Sequence, residues 1–200
     1  PIGVLLSGGL DSAMVAHMLA KHTDKQLKTF TVGFQGKGNF NELDDARETA
    51  KFIKSDHYDI FMNIDQFLET FSMSYYHTEE PIAAATIPPL YHVSKLAHEH
   101  VKVVMSGQGA DEPMAGYKRY RGEKIIGDYG KILNMLPLNA IQKLFPANIA
   151  LERGIYSSRF KNEVDRFVAI FSLFTPELKQ KLFKPEIAAV AFSEQRDLFD

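Results

Sequence analysis

The sequence predicts an α/β fold, a doubly wound parallel sheet followed by a helical C-terminal region. Three observations carry that prediction. Short unbroken apolar runs, the mark of strands covered on both faces, alternate with helix-period segments as far as about residue 122. Two of these runs, Ile2-Gly3-Val4-Leu5-Leu6 and Val101-Lys102-Val103-Val104-Met105, pass directly into glycine-rich loops. Beyond them the apolar spacing is helical throughout. Strand–helix–strand alternation needs crossover helices, and crossovers impose parallel pairing.

Residues 2–6 read as the first strand and 11–22 as the first helix. Leu27 to Phe34 is a second strand, and Gln35 to Asn41 a loop. Leu43, Ala46, Ala50 and Ile53 recur at spacings of three and four, so 42–54 is an amphipathic helix. His57 to Met62 is a weaker third strand, and Phe67, Leu68, Phe71 and Tyr75 make the next helical face. Pro81, Pro88 and Pro89 bracket a small-residue stretch, after which Leu90, Val93, Leu96 and Ala97 resume a helix with a proline in its tolerated first turn. Val101 to Met105 is the fourth strand. Leu133, Leu136, Ile141 and Leu144, then Val164, Phe167, Val168 and Phe171, then Leu178, Leu182 and Phe183 mark helices broken at Pro137, Pro146, Pro176 and Pro185. The organisation expected is a nucleotide-type core over 1–122 and a helical region over 123–200 packed on it as part of the same domain. A strand that begins almost at Pro1 also suggests a chain cut from a longer one.

Composition removes several classes of function. There is no cysteine, which excludes disulfides, thiolate zinc sites, iron–sulfur clusters and a cysteine nucleophile within this chain. A formal charge of −2 provides no global field for nucleic acid or acidic lipid. No apolar run reaches the length of a membrane span, and a cytoplasmic setting is expected. The seven histidines lack metal-ligand spacing; His98 and His100 are two apart on a helix and point to different sides. Lys118, Arg119, Arg121 and Lys124 form a basic cluster whose plainer reading is a solvated loop.

The loop Ser7-Gly8-Gly9-Leu10-Asp11-Ser12 joins a strand end to a helix start, where free amides and the positive helix end meet anions. Two glycines allow close backbone approach, and Ser7 and Ser12 add hydroxyls. Asp11 would repel a phosphate unless a divalent ion bridged them, as magnesium does through one or two carboxylates and phosphate oxygens. The loop lacks the Gly-Lys-Ser/Thr ending of a Walker motif and the third glycine of a dinucleotide fingerprint. The plain alternative is a tight turn with Asp11 or Ser12 as helix N-cap. For Ser106-Gly107-Gln108-Gly109-Ala110-Asp111-Glu112 it is a turn with Asp111 as a solvated cap.

Together these segments resemble the synthetase domain of glutamine-hydrolysing asparagine synthetases, within the N-type ATP pyrophosphatases. The resemblance continues through Phe30-Thr31-Val32-Gly33-Phe34, Glu42 to Ala50 with Arg47, His57, Glu80-Pro81, Tyr91 to Leu96 and Ala115-Gly116-Tyr117. It covers most of 1–122 and matches the helical remainder loosely, through Leu173-Phe174-Thr175-Pro176-Glu177. It implies an adenine nucleotide alpha hydrolase-like fold and an enzyme that activates a carboxylate with ATP, aspartate's side chain in the family. Ammonia would then displace AMP.

By the same resemblance, Ser7, Gly8, Gly9 and Ser12 would cradle the pyrophosphate end of ATP, and Leu6, Val32, Ser106 and Gly107 would line the adenosine pocket through backbone and apolar contacts. Asp11 and Asp111 would hold Mg2+, provided that the first and fourth strands are neighbours. Gln108 and Asp111 fall where the family meets its amino-acid substrate. An upstream glutaminase domain is implied as partner, a homodimeric assembly is considered alongside, and neither membrane nor nucleic acid is expected.

Departures from the family pattern shape the alternatives. Gln108 stands where the asparagine-forming enzymes usually carry an acid, so a substrate ammonium would lose a charge-assisted partner. Ala84 and Ala115 replace a common aspartate and a common glycine. The family's transition-state lysine falls C-terminal to this chain, and no catalytic residue is assigned within it; the isolated 200 residues are expected to bind nucleotide without completing amide synthesis. The competing readings are a related amidotransferase or β-lactam-type synthetase acting on another carboxylate, a non-catalytic nucleotide-binding module, and an RNA-thiolating relative sharing only the first loop.

Overall fold

The computed structural model describes residues 1–34, 42–79, 84–133, 148–172 and 181–187, with the single positions 135, 137, 174 and 178. The loop expected over 35–41, Glu80-Pro81 and the Leu173–Glu177 match lie wholly or largely outside them. The chain divides into two compact units, Pro1–Pro113 and Met114–Asp200. The division falls ahead of the change in sequence pattern near residue 122.

In the first unit the order is β1 (Ile2–Leu5), α1 (Leu10–Lys21), β2 (Lys28–Phe34), α2 (Leu43–Phe52), β3 (Asp56–Met62), α3 (Ile64–Thr78), α4 (Ile87–His98) and β4 (Val103–Met105), and the short α5 (Asp111–Met114) ends one residue past that unit. The four strands form one sheet in the order β3-β2-β1-β4, and every pair is parallel. The chain therefore runs outward from β1 to β3 and returns to the far side of β1, which is the topological switch of a doubly wound sheet.

Side-chain alternation along the strands feeds two cores. Val4 and Leu6 join Ala16, Leu27, Ala46 and Ala50 on the face covered by α1 and α2. Phe30 joins Val93, Ala97 and Val101, flanked by Leu5, Val32, Tyr58 and Leu96, on the face covered by α4. Burial on both faces explains why β1 reads as unbroken apolar sequence.

Several elements depart from the sequence expectation for identifiable reasons. β3 is polar and half-exposed because it is an edge strand, yet it pairs with β2 along its whole length, from Lys28↔Asp56 to Phe34↔Met62. In α3 the expected apolar face is half-buried at Phe67 and Phe71, which stack on each other, while Leu68 is exposed; Thr70 and Ser74, on the same side as Phe67 and Phe71, are buried. Ser74 Oγ donates to the Thr70 carbonyl at 2.7 Å within the helix, and Thr70 Oγ1 lies 2.8 Å from His92 Nε2 on α4, so these buried polar groups are paired. Asn63 and Gln66 cap α3 reciprocally, at 2.8 and 2.9 Å. Strand β4 begins only at Val103; Val101, ahead of it, packs into the α4-side core, and the Lys102 amide donates to the Pro1 carbonyl at 3.1 Å.

His57, on β3, places Nδ1 2.9 Å from Thr29 Oγ1, while its Nε2 is buried with no hydrogen-bond partner among the described residues. Burial pushes its pKa below the ordinary 6.5; the nearby Asp59 carboxylate opposes that shift, and Arg47 adds to it. A ring kept neutral by the fold stabilises above its unfolded pKa, and that contribution is lost as pH falls from about 6.5 through the lowered folded value. The unfolding midpoint is accordingly expected to drop on acidification through this window. In a His57→Gln variant the drop should be shallower; parallel profiles for the two proteins between about pH 5 and 7.5 would remove this account.

The second unit contains α6 (Lys118–Leu133), α7 (Ile149–Ser157) and α8 (Glu163–Phe171), each in contact with the other two. Asn148 and Asn162 cap α7 and α8 through their side-chain oxygens. Tyr120, Phe167 and Phe171 stack together, and the Arg119 guanidinium lies 4.4 Å from the Phe171 ring centre. Arg119 of the basic cluster is thus engaged in a cation–π contact. Arg166 pairs with Glu123 at 3.0 Å, with both side chains largely buried. Among the described residues no helix is long and apolar enough to cross a membrane.

Candidate functional site

The switch between β1 and β4 brings two loops together. Ile2 pairs with Val103 and Val4 with Met105, so the carboxyl ends of the two strands lie side by side and release Ser7 and Ser106 in the same direction. Gly107 then lies against the start of α1. A Cβ added there would sit 2.6 Å from the Ser12 amide nitrogen and 2.8 Å from the Asp11 carbonyl carbon. Only a residue without a side chain permits this approach. Asp11, exposed in the first turn of α1, and Asp111, half-buried at the start of α5, are thereby carried on neighbouring strand ends.

The Ser7–Ser12 loop is knitted by its own hydroxyls. Ser12 Oγ accepts from the Ser7 amide at 3.0 Å and lies 2.9 Å from Ser7 Oγ and 3.1 Å from the Gly9 carbonyl. Ser7 Oγ accepts from the Gly9 amide at 3.1 Å. Gly9, extended at φ −79°, is the residue at the N-cap, with no side-chain capping bond. Neither Asp11 nor Ser12 is the N-cap that the plain-turn reading requires. Ser12 is buried and braces the turn, whereas Ser7, Gly8, Gly9 and Asp11 are exposed.

Not all the expected residues converge. Leu6 is buried on the α1–α2 face and Val32 packs on the opposite, α4 face, so their side chains do not line one pocket. The Leu6 carbonyl is instead held by the buried Thr31 hydroxyl. In the second loop Ser106 Oγ accepts from the Gln108 amide at 3.1 Å, and Gly109 turns the chain at φ +89°. Gln108 is exposed. Ala115, expected as a mild replacement for glycine, sits at φ +53°, which explains why glycine suits that position.

Two groups escaped the sequence reading. Glu42 Oε2 accepts from the Gly8 amide at 3.1 Å, and Asp45 lies beside it, its Oδ2 3.2 Å from where a Gly8 Cβ would be. The only sequence signal was the run of acids at the start of α2. Arg47, part of the resemblance, donates Nε to Asp59 at 2.7 Å and thereby ties α2 to β3.

Among the described residues no three or more His, Cys, Asp or Glu side chains gather as a metal site. Asp11 in the first turn of α1 and Asp111 at the start of α5 are the carboxylates of the two loops, and Mg2+ in general takes one or two carboxylates and completes its shell with phosphate oxygens and water.

A parallel doubly wound sheet with a serine–glycine loop and an acid at its switch point defines a nucleotide-binding type of α/β domain. The family model described as Asparagine synthase matches residues 1–194, and the chain belongs to that family. Asparagine synthetase [glutamine-hydrolyzing] 1 of Bacillus subtilis is 32% identical over 190 residues, 92% of this chain and 29% of that protein. A putative asparagine synthetase [glutamine-hydrolyzing] 2 of Methanocaldococcus jannaschii is 35% identical over 196 residues, 94% of this chain and 36% of that protein. A putative asparagine synthetase of Mycobacterium bovis is 39% identical over 120 residues, 60% of this chain and 18% of that protein. The chain thus spans only 18% to 36% of the length of these relatives. A solved structure titled as a predicted subunit of tRNA methyltransferase from M. jannaschii is similar at a TM-score of 0.37 and 23% identity, covering 54% of this chain and 52% of that one. The fold assignment rests on the strand order and not on that likeness.

Proposed function

We propose that residues 1–113 form the ATP site of a synthetase that adenylates a carboxylate, the aspartate side chain in the first instance, and converts it to an amide with ammonia. The observation that carries this reading is the contact of the two switch-point loops at Gly107. It brings the backbone of the serine–glycine loop and two carboxylate-bearing segments to one edge of the sheet.

In the reaction a carboxylate oxygen bonds to the α-phosphorus of ATP while the bond to the bridging oxygen breaks, and pyrophosphate leaves with the electron pair. Ammonia then attacks the acyl carbon, AMP leaves, and one proton is released. The work of the chain is to fix and neutralise the phosphates, because charge develops on their oxygens. The exposed residues Ser7 to Gly9 would hold the pyrophosphate end through their amides and the Ser7 hydroxyl, which in this structure are engaged within the loop and with Glu42, and Ser12 would brace the turn. Ser106 and Gly107 would border the adenosine with backbone groups. A magnesium ion held by Asp11 and Asp111 would supply charge neutralisation at the phosphates.

One observation favours a second reading. Gln108 is exposed on the second loop and carries no charge with which to anchor a substrate ammonium, which keeps open a related amidotransferase or β-lactam-type synthetase acting on a carboxylate other than aspartate's. The wider reading includes a glutaminase domain that supplies the ammonia, a homodimer and a cytoplasmic setting; the first of these is supported by relatives named as glutamine-hydrolysing.

Exchange of labelled pyrophosphate into ATP, measured in the protein that carries this chain across a panel of carboxylates, tests the proposal. Exchange that depends on aspartate is expected. Exchange with another carboxylate alone would establish the second reading. Stabilisation by Mg-ATP without any exchange would point to a binding module and overturn both.

A further inference from the structure

The three loop amides that would face a phosphate are not equivalent. Those of Ser7 and Gly9 donate to neutral hydroxyls within the loop itself. The Gly8 amide instead donates to a carboxylate, Glu42 Oε2 at 3.1 Å, which reaches it from the N-cap of α2, 34 residues along the chain. Carboxylate and phosphate oxygens are chemically similar acceptors for a backbone nest, and an amide proton shared between two anions serves neither well. Like charges at contact also repel.

The surroundings make the carboxylate exchangeable. Glu42 is exposed, so releasing the amide leaves its charge solvated and not stranded. Arg47, on the same helix, is committed to Asp59 and Asp44, and no ion pair is seen for Glu42 or Asp45 among the described residues. We propose that Glu42 is an internal competitor for the phosphate site: its carboxylate holds the Gly8 amide and is displaced when a phosphate oxygen takes that donor. The proposal rests on the nucleotide reading above. A bound form that must first be vacated lowers apparent affinity by the fraction of molecules in which it is occupied, so Glu42 sets how tightly nucleotide is held.

The test is titration calorimetry of the full chain with Mg-ATP and, separately, with inorganic pyrophosphate, following the Gly8 amide by NMR. Glu42→Gln, which keeps shape and removes charge, should tighten Mg-ATP binding by about three- to tenfold, an effect that shrinks as salt rises. Asp45→Asn removes a neighbouring charge that makes no bond to the amide, and should tighten binding clearly less. Unchanged or weaker binding in Glu42→Gln, or an equal gain in Asp45→Asn, would overturn the proposal. If neither ligand-free variant nor wild type binds Mg-ATP, the nucleotide reading fails. The competitor claim is then decided by pyrophosphate at the Gly8 amide, supported by tighter binding in Glu42→Gln and overturned by its absence.

Discussion

A Gly107→Ala variant is expected to bind Mg-ATP about a hundredfold more weakly than wild type while retaining its secondary structure. The added methyl would sit 2.6 Å from the Ser12 nitrogen, 2.8 Å from the Asp11 carbonyl carbon and 3.0 Å from the Asp11 Cβ. Two of these neighbours are backbone, which cannot rotate away as a side-chain tip can. Relief requires the β4–α5 loop and the start of α1 to separate, by an amount comparable with the misplacement that costs two orders of magnitude at a reacting centre. A matched control is Gly130→Ala, where nothing lies within 4 Å of the new methyl and the exchange should be neutral or slightly stabilising. Calorimetry on the two variants decides the matter, with circular dichroism to verify the fold. Wild-type affinity in Gly107→Ala would mean that the contact of the two loops has no part in nucleotide binding.

Phe30→Ala should produce the largest loss of stability of any single change in the sheet, about 3–5 kcal/mol by denaturant unfolding. The ring is fully buried and stacks on Tyr58 at 5.5 Å and His100 at 5.8 Å, with Val93, Ala97 and Val101 in the same cluster. Beside it lies Gly3, where a Cβ would meet Phe30 Cε2 at 2.6 Å and the Lys28 carbonyl at 3.1 Å. Gly3→Ala alone is therefore expected to cost about 1–3 kcal/mol through overpacking. The two changes should not add, because removing the ring removes most of the clash. Strict additivity in the double variant would show that the ring and Gly3 do not share the space assigned to them.

Much of this was legible before any coordinates. The apolar runs at Ile2–Leu6 and Leu27–Phe34 contain the strands Ile2–Leu5 and Lys28–Phe34, and the proline pair at 88–89 falls in the first turn of α4. Their signals are local: strand burial and proline's fixed φ leave marks on consecutive residues. The edge strand β3 read as weak because its residues face water on one side of the pairing. On α3 the apolar spacing marks Phe67 and Phe71 but not the buried Thr70 and Ser74 beside them, because groups buried through hydrogen bonds leave no apolar periodicity to detect.

The candidate site divides along the same line. The sequence by itself determined the two glycine loops, the acids within them and the resemblance they carry, because backbone freedom and charge are properties of the residues in place. Only the tertiary structure decided that β1 and β4 are neighbours, that Leu6 and Val32 face opposite sides of the sheet, that Ser12 is spent inside its own turn, and that Glu42 reaches Gly8. Strand order and side-chain facing depend on which distant segments pair and in what register. A shift of one residue reverses every facing, and no local pattern records the partner.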